Sequence, residues 1–528
     1  MASAAPAVDA AKTPKNMSRE GIEHRAAKVS LVTGLSTILA VVFQLIAVPV
    51  CLRYWGQEAY GSWLALFAAF MLLRSLDAGY VAYVGNKLNQ LYHQNTQALR
   101  THLSSAVAGI ALIGGLQLAI VTAALLSDPL SALLGVPAGE TSGQLDGAGL
   151  LVLMLSWVLT GSYLGIVHRL LIPAGLMYQA AWWSMVFQVS QFAAIMAAAM
   201  LQLGMLQTSL LFALSQLFIY VASAVYIRQK LPTYYPWWQG ARVSTGLKDL
   251  GHSTMLTVSN LIQQGATNGV VLLVSALAGP AAVPVYTTVR TLTNLWTNVT
   301  NVLTTPLLPD VVRFHAKGEA HKLVALNEAY WVLVGSAVNW GVLLSYPLLA
   351  PLYGYWTGHA LALDDALLCL LLGSVVVTNA GALMSMHLNG INSLRIILGA
   401  SLVRGVLGLG VGALTYEQLG LAGFGLGIFA GELAAVLMTG RFFVKYELLD
   451  KGVTMPVLAF SPAILGTGSV LLFLAGEGFG WFSVLWAWPI AMAGVVTASV
   501  WGWKRLDDDV RERLVRLLAH RLLRKGIQ

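Results

Sequence analysis

Five charged residues lie within otherwise apolar sequence: Arg74, Asp77, Arg290, Arg404 and Glu432. A charge at the centre of a bilayer costs about 2.5–3.5 kcal/mol on the insertion scale, so such side chains face a helix-bundle interior or water. A guanidinium group can bind two oxygens of one phosphate or carboxylate group. A carboxylate inside a membrane can carry a proton or neutralise an arginine. These residue types therefore predict binding of an anion, coupling to a cation, or structural ion pairs.

The spacing of these residues leaves structural and functional interpretations open. Arg74 and Asp77 are three residues apart, so on one helix they are neighbours, and each lowers the cost of burying the other. We expect a structural pair there, with Arg74 the member more open to a substrate phosphate. Arg404 and Glu432 lie midway along two successive apolar segments. They form either an ion pair between adjacent helices, or a cationic cavity wall with an acid for proton or sodium coupling.

One predicted span carries a polar stripe at helical spacing, with Arg290 beside it. The positions of the stripe are Thr287, Thr291, Asn294, Asn298, Asn301 and Thr305. The preceding span offers a matching polar face, which comprises Asn260, Gln263, Gln264, Thr267 and Asn268. Lipid cannot satisfy so many amides and hydroxyls, so these faces meet water, another polar helix or a sugar. Hydrogen bonds between helices are the alternative explanation, each worth only about 0.6 kcal/mol on average.

We therefore predict a hydrated, amide-rich groove that binds sugar hydroxyl groups, with arginines for phosphate. Trp296 lies near this groove and either stacks on a sugar ring or packs in the core. The predicted substrate-binding residues are Arg74, Arg290, Arg404, Asn294, Asn298, Asn301, Gln263, Gln264 and Trp296. Asp77 and Glu432 are assigned to ion coupling or to structural pairs. We find no catalytic arrangement, no metal-ligand spacing and no signature of a cofactor.

The amino-acid composition indicates which kind of secondary structure positions these charged and polar residues. The chain has 528 residues, of which 57% are hydrophobic and only 10% charged. A soluble protein carries about 25% charged residues. The sequence therefore predicts an all-α polytopic membrane protein. Cys51 and Cys369 fall in or beside apolar segments and indicate no disulfide framework.

About fourteen segments are long and apolar enough to span a bilayer. Their approximate limits are 29–52, 62–85, 103–126, 148–167, 181–203, 208–227, 251–277, 284–308, 325–350, 364–387, 395–415, 421–440, 455–474 and 482–503. The loops between them are short, so we expect no inserted soluble domain.

Basic residues concentrate in alternate loops, with Arg53 the exception, which predicts that both termini are cytoplasmic. The basic residues behind the net charge of +8 then lie on the cytoplasmic face, where they contact anionic lipid headgroups. The charge therefore does not indicate binding of nucleic acid. Residues 1–28 read as a cytoplasmic tail without a signal-peptide cleavage site. Residues 504–528 read as an amphipathic helix on the cytoplasmic surface.

The spans divide into two related sets. Gly56 precedes Trp63 by seven residues between spans one and two, and Gly279 precedes Tyr286 by seven between spans seven and eight. Such repeats are common in transporters, with the substrate site at the repeat interface. We therefore predict two six-helix bundles plus two C-terminal helices. The predicted limits are 29–227 for the first bundle, 228–250 for a cytoplasmic linker, 251–440 for the second bundle and 455–503 for the additional helices.

The stretch VPVCLRYWGQEAYGSWLALFAAFMLLRSLDAGYVAYVGNKL resembles the N-terminal signature of bacterial polysaccharide flippases, which belong to the multidrug/oligosaccharidyl-lipid/polysaccharide exporter superfamily. The residues that fit are Pro49, Arg53, Gly56, Glu58, Tyr60, Gly61, Asp77 and Gly79, whereas Trp55 replaces the usual leucine. The resemblance implies two bundles around a V-shaped cavity. It also implies that undecaprenyl-pyrophosphate-linked oligosaccharide crosses the bacterial inner membrane, for lipopolysaccharide or exopolysaccharide synthesis.

The expected partners are the lipid-linked oligosaccharide, membrane lipids and, as a candidate, a polysaccharide polymerase or export machinery. Two alternatives remain at this point. A cation-coupled multidrug exporter shares the fold but favours carboxylates in its cavity, whereas interior arginines here outnumber interior acids three to two. A membrane glycan polymerase or ligase needs catalytic groups on a sizeable outer loop, and no such arrangement is recognisable. We expect a non-enzymatic protein.

Overall fold

A computed structural model describes residues 19–512, apart from residues 93, 127–140, 392, 453–455, 481–483, 507 and 509–510. All regular secondary structure within this part is helical, which confirms the predicted all-α class. The amphipathic helix predicted for residues 504–528 lies almost wholly outside the described residues. Of the predicted N-terminal tail, residues 19–28 form the start of the first helix.

The helices of the first half end at Lys230. They are α1 (Arg19–Tyr92), α2 (Thr96–Leu126), α3 (Thr141–Ser156), a π-helical segment (Trp157–Ser162), α4 (Tyr163–His168), α5 (Met177–Met200) and α6 (Met205–Lys230). The predicted linker 228–250 is shorter than expected, because α6 continues to Lys230 and the next helix begins at Val243.

The second half contains three further π-helical segments. Its elements are α7 (Val243–Gln264), π (Gly265–Gly269), α8 (Val270–Ala278), α9 (Ala282–Thr304), α10 (Leu308–Ala316), α11 (Ala320–Tyr330), π (Trp331–Gly335), α12 (Ser336–Thr357), α13 (Asp365–Gly390), α14 (Leu394–Leu419), α15 (Leu421–Phe442) and π (Phe443–Leu448). Two more helices follow, α16 (Pro456–Gly478) and α17 (Val484–Arg505), and they pack on each other and on α12 and α13.

Eleven helical segments of the described chain are long and apolar enough to cross a membrane. The first of them, Leu31–Tyr92, has 62 residues and is far longer than one bilayer crossing requires. It contains the first two predicted spans, which meet at a kink at Gly56. The eleven segments therefore contain twelve of the predicted spans. Helices α9 and α17, with 23 and 22 residues, correspond to the other two, so a helix lies at each of the fourteen predicted positions. The polar stripe of α9 explains its low hydropathy.

Two glycine turns occupy corresponding places in the two halves. Gly56 has φ 77° and ψ 178°, and Gly279 has φ 82° and ψ 164°. Side chains strongly disfavour this positive-φ conformation, so both positions favour glycine. The equal conformations support the repeat inferred from sequence, although the exact bundle limits stay a prediction.

The two turns pack against each other. Gln57 donates a hydrogen bond from Nε2 to the carbonyl oxygen of Ala281 at 2.7 Å. A methyl group on Gly61 would lie 1.8 Å from the carbonyl oxygen of Pro280, so only a hydrogen atom fits there. Nearby, the Trp356 indole nitrogen donates to the carbonyl of Leu45 at 2.7 Å. We call this the outer end, because it lies opposite the basic loops.

The buried side chains form one core at the outer end and two cores at the other end. The outer core combines residues of both halves, including Trp63, Leu66, Tyr286, Val342 and Leu372. The first inner core draws only on residues 80–237, and the second only on residues 311–498. The halves are therefore fused at the outer end and have separate cores at the end that carries the basic loops.

Helix α7 belongs to the second half in sequence but packs against the first half. A methyl group on Gly79 of α1 would lie 2.2 Å from the backbone nitrogen of Thr257, and one on Gly246 would lie 2.6 Å from the carbonyl oxygen of Ser105. Such close backbone contact at small residues is typical of packing between transmembrane helices. α7 thus lies along α1 and α2 and borders both halves.

The contact between the glycine turns yields a stability prediction. Gly61→Ala forces the two turns apart and should lower the free energy of unfolding by about 1–3 kcal/mol, the usual range for overpacking. Cys51 and Cys369 are 0% and 3% exposed, so a thiol-reactive dye reports thermal unfolding of the native chain. Gly115→Ala in α2 is the control, because no atom lies within 4 Å of its added methyl group. Equal unfolding midpoints for the two variants would contradict the tight contact.

Candidate substrate cavities

A cavity of about 550 Å³ lies within the first half and is bordered by α7. We call it the N-terminal cavity. Its lining includes Met71, Arg74, Ser75, Asp77, Trp157, His168, Arg169, Phe187, Tyr220, Asn260 and Gln264. Three residues predicted from sequence to bind substrate or ions, Arg74, Asp77 and Gln264, thus share one cavity.

Arg74 and Asp77 do not form a direct ion pair, which corrects the expectation from their spacing. Asp77 is 2% exposed, and its Oδ2 accepts hydrogen bonds from the Trp157 indole nitrogen at 2.7 Å and the Ser162 hydroxyl at 2.6 Å. The guanidinium carbon of Arg74 lies 4.0 Å from the centroid of the Trp157 ring. Trp157 therefore lies between Arg74 and Asp77. The face of its indole ring contacts the guanidinium group, and the indole N–H at the ring edge donates to the carboxylate.

The π-helical segment Trp157–Ser162 explains how two donors reach one oxygen atom. In a regular α-helix, residues five apart point about 140° away from each other. In a π-helix the hydrogen bonds run between residues five apart, so such residues approach one face. Trp157 and Ser162 stand at the ends of this segment and both donate to Asp77.

Arg169 is a cavity residue that the sequence did not identify. Its sequence position suggested only a basic loop, but the aliphatic part of its side chain packs over Gly85 and the residue lines the N-terminal cavity. Gly85 follows Asp77 on α1. A methyl group on Gly85 would lie 2.9 Å from Arg169 Cδ, so a larger residue there would displace the arginine side chain. The neighbouring His168 is within hydrogen-bond distance of the Ser223 hydroxyl at 3.1 Å, which occupies one of its ring nitrogens.

A second cavity, of about 320 Å³, lies within the second half. We call it the C-terminal cavity. Its lining includes Gln263, Ala266, Thr267, Arg290, Thr378, Ser401, Arg404, Gly408, Ile428 and Glu432. Four of the predicted residues, Gln263, Arg290, Arg404 and Glu432, come together here from four different helices.

Glu432 forms an ion pair with Arg404 and also accepts a hydrogen bond from Thr378. The Arg404 Nε atom lies 2.9 Å from Glu432 Oε2, and the Thr378 hydroxyl donates to the same oxygen at 3.0 Å. Both side chains stay partly accessible, with 28% and 22% exposure. The pair expected between adjacent helices is therefore present, and it lies on the cavity wall.

Arg290 has no carboxylate within 4.0 Å among the described residues. Its Nη1 donates to the backbone carbonyl of Thr267 at 2.9 Å and lies 3.4 Å from the Tyr286 hydroxyl. Thr267 lies in the π segment Gly265–Gly269, where the helical hydrogen bonding is irregular. Because a guanidinium group has five N–H donors, most of the donors of Arg290 are available to a ligand.

The asparagine stripe of α9 points outward from the protein core. Asn294 and Asn301 are exposed and Asn298 is half-buried, and no side-chain hydrogen bond joins any of the three to another described residue. Unlike these amides, the hydroxyl groups of Thr287 and Thr291 have partners. They donate to backbone carbonyls one turn earlier in the same helix. The stripe lines neither cavity and continues from Arg290 towards the inner end.

Two predictions need adjustment. The polar face of span seven is divided, because Asn260 and Gln264 line the N-terminal cavity whereas Gln263 lines the C-terminal cavity. The indole ring of Trp296 packs against Gly341 of α12, where a methyl group would lie 2.1 Å from it. This position of Trp296 favours packing in the core over stacking on a sugar ring.

No protein-family model and no curated protein matches this sequence. Solved structures do resemble it. The lipid II flippase MurJ in an inward closed conformation has a TM-score of 0.64 and 15% identity, over 90% of this chain and 99% of that one. A multidrug resistance MATE family transporter of the MOP superfamily, in an inward-facing conformation, has a TM-score of 0.62 and 17% identity, over 77% and 94%.

A third neighbour is a MOP superfamily transporter from Pyrococcus furiosus, whose binding pocket is described as having reverse polarity. It has a TM-score of 0.52 and 16% identity, over 80% of this chain and 96% of that one. At these identities the likeness establishes the fold alone. The chain is a multi-pass membrane protein with the fold of the MOP superfamily transporters.

Proposed function

We propose that this protein translocates a lipid-linked oligosaccharide with an anionic headgroup across the bacterial inner membrane by alternating access. The observation that carries the proposal is the charge of the two cavities. Each is lined by two arginines and one carboxylate, namely Arg74, Arg169 and Asp77 in one, and Arg290, Arg404 and Glu432 in the other. Because arginines outnumber carboxylates in each lining, each cavity presents a net positive charge to its contents. Both carboxylates also accept hydrogen bonds from the protein.

The donor chemistry suits an undecaprenyl-pyrophosphate headgroup. Arg290 has free N–H groups and no carboxylate partner among the described residues, so it can bind phosphate oxygens in a bidentate manner. The amides of Asn294 and Asn298 both donate and accept hydrogen bonds, as sugar hydroxyl groups require. We assign phosphate to the arginines and sugar to the amides of α7 and α9.

The arrangement of the cores supports an inward-open state. If the basic loops are cytoplasmic, the fused outer core closes the periplasmic side and the separate inner cores leave the cytoplasmic side open. The headgroup would enter from the cytoplasm while the polyprenyl tail stays in lipid. Rocking of the halves would then open the outer contact. Association with a polymerase or export machinery stays a prediction.

A multidrug exporter of cationic compounds is the main competing function, since the same fold occurs in MATE transporters. A site for cationic drugs is expected to present a complementary negative potential. Asp77 already accepts two hydrogen bonds and Glu432 accepts from Arg404 and Thr378. The cavities therefore favour an anionic substrate.

Replacement of Arg290 tests the phosphate assignment. Arg290→Ala should slow translocation by on the order of tenfold to a hundredfold, because a hydrogen bond to a charged group contributes about 1.5–3 kcal/mol. Arg290→Lys should recover only part of the rate, since an ammonium group lacks the planar fork. The measurement is the sidedness of undecaprenyl-pyrophosphate-linked oligosaccharide in membranes of a deletion strain that carries each variant.

The matched control is Arg441→Ala, which removes an exposed arginine outside both cavities. We expect headgroups to accumulate on the cytoplasmic leaflet in the deletion strain and in Arg290→Ala, but not in Arg441→Ala. Unchanged lipid-linked pools in the deletion strain, together with new sensitivity to cationic drugs, would instead identify an exporter and refute the proposal.

Thiol labelling tests whether the asparagine stripe meets water. Asn294→Cys and Asn298→Cys should react with a membrane-impermeant maleimide, whereas Thr293→Cys on the same helix should not, because Thr293 is 2% exposed. The native Cys51 and Cys369 are buried and give a low background. Absence of reaction at both asparagine positions would show that the stripe does not line a hydrated path.

Tethering the glycine turns tests alternating access. In a Gln57→Cys/Ala281→Cys double variant, a short bifunctional thiol reagent should hold the outer end closed and abolish translocation. Each single variant treated with the same reagent should retain activity. Cleavage of a reversible tether should restore transport. Full activity in protein that is completely cross-linked would refute the opening of this contact during the cycle.

A further inference from the structure

Two histidines and a glutamate from three separate segments meet at the inner end of the second half. They are His315 at the end of α10, His387 near the end of α13, and Glu447 in the π segment Phe443–Leu448. His315 and Glu447 are 132 residues apart in sequence, which explains why no ligand spacing was visible. The cluster is outside both cavities and belongs to the second inner core region.

The three side chains converge at distances that fit a metal ion. His315 Nδ1 lies 2.8 Å from Glu447 Oε2, and His387 Nε2 lies 3.6 Å from Glu447 Oε1. One ligand atom from each residue can be chosen so that all lie within 4.8 Å of one another. Ligands about 2.0–2.1 Å from a tetrahedral zinc ion are about 3.3 Å apart, so a small closure of this set would suffice.

The surroundings hold the histidine rings in place. The rings of His315 and His387 are 5.3 Å apart in an edge-to-face arrangement, and His387 packs against Phe443 in the same manner at 5.2 Å. His387 is 1% exposed and the Glu447 side chain 8%, whereas that of His315 is 33% exposed. An ion can therefore reach the cluster from the His315 side, where solvent can fill a fourth position.

Glu447 lies on the buried face of the π segment. Phe443 and Glu447, four residues apart, are both buried, whereas Lys445 and Tyr446 between them are exposed. Residues at this spacing share one helical face, so Glu447 is directed inwards beside Phe443. π turns often occur at functional sites.

We propose that His315, His387 and Glu447 form a binding site for a divalent transition-metal ion, zinc being the best match. Neutral imidazole and carboxylate ligands suit zinc, and two histidines with one glutamate are an established set with an open fourth position. The bound ion would cross-link α10, α13 and the end of α15. Because α10 follows α9 after a single 3-10 turn, the site would fix the inner end of the helix that carries Arg290.

Cobalt and zinc titration of the purified full-length chain tests the site. The protein carries an affinity tag without histidine and is stripped with a chelator before titration. Co²⁺ should produce the visible absorption bands of a tetrahedral site at one ion per chain, and Zn²⁺ should displace it. His315→Gln and Glu447→Gln should each weaken zinc binding by about tenfold or more, since changes even to supporting residues cost 10–100-fold.

The control is His321→Gln, which removes an exposed histidine close to His315 in sequence. It should bind cobalt and zinc as the wild type does. Thermal unfolding followed by tryptophan fluorescence without metal checks that His315→Gln is folded, and zinc should raise the midpoint in the wild type but not in that variant. Absence of tetrahedral bands in the wild type, or zinc binding that is unaffected by His315→Gln, would overturn the proposal.

Discussion

The contact between the two glycine turns is the constraint on which the rest of the structure depends. Gly56 and Gly279 adopt the same positive-φ conformation, and the hydrogen atom of Gly61 lets the Pro280 carbonyl approach closely. This contact joins the halves in a single outer core. The inner ends have cores of their own, so the halves can separate there without exposing a shared interior.

In both cavities the carboxylate has partners within the protein, and arginines outnumber carboxylates two to one. Trp157 holds Arg74 on its face and bonds Asp77 with its edge, which keeps the two charges apart without leaving the carboxylate unsatisfied. In the second half, Arg404 and Thr378 occupy one oxygen of Glu432, and Arg290 is bonded only to neutral groups. This excess of arginines is the basis on which we propose an anionic substrate.

The sequence predicted the helical class and the span positions, and it singled out four of the residues that line the C-terminal cavity, namely Gln263, Arg290, Arg404 and Glu432. It succeeded because hydropathy and 3.6-residue periodicity are local properties of the sequence. A charged residue within an apolar segment must also face the bundle interior or a water-filled cavity. It failed for Arg169, since a charge at the end of a span reads as an orientation signal. It also misassigned the partner of Asp77, because Trp157 resembles any other aromatic residue of a membrane protein.

The π-helical segments supply several contacts that the sequence did not indicate. The segment Trp157–Ser162 brings two donors to Asp77, and Gly265–Gly269 presents the Thr267 carbonyl to Arg290. In Trp331–Gly335, the Gly335 carbonyl accepts from Asn379, and the last segment contains Glu447, which contacts two histidines. Each π turn changes the helical spacing locally, and regular α-helical periodicity does not indicate it. Polar contacts at such turns are non-local, and only the packed structure defines them.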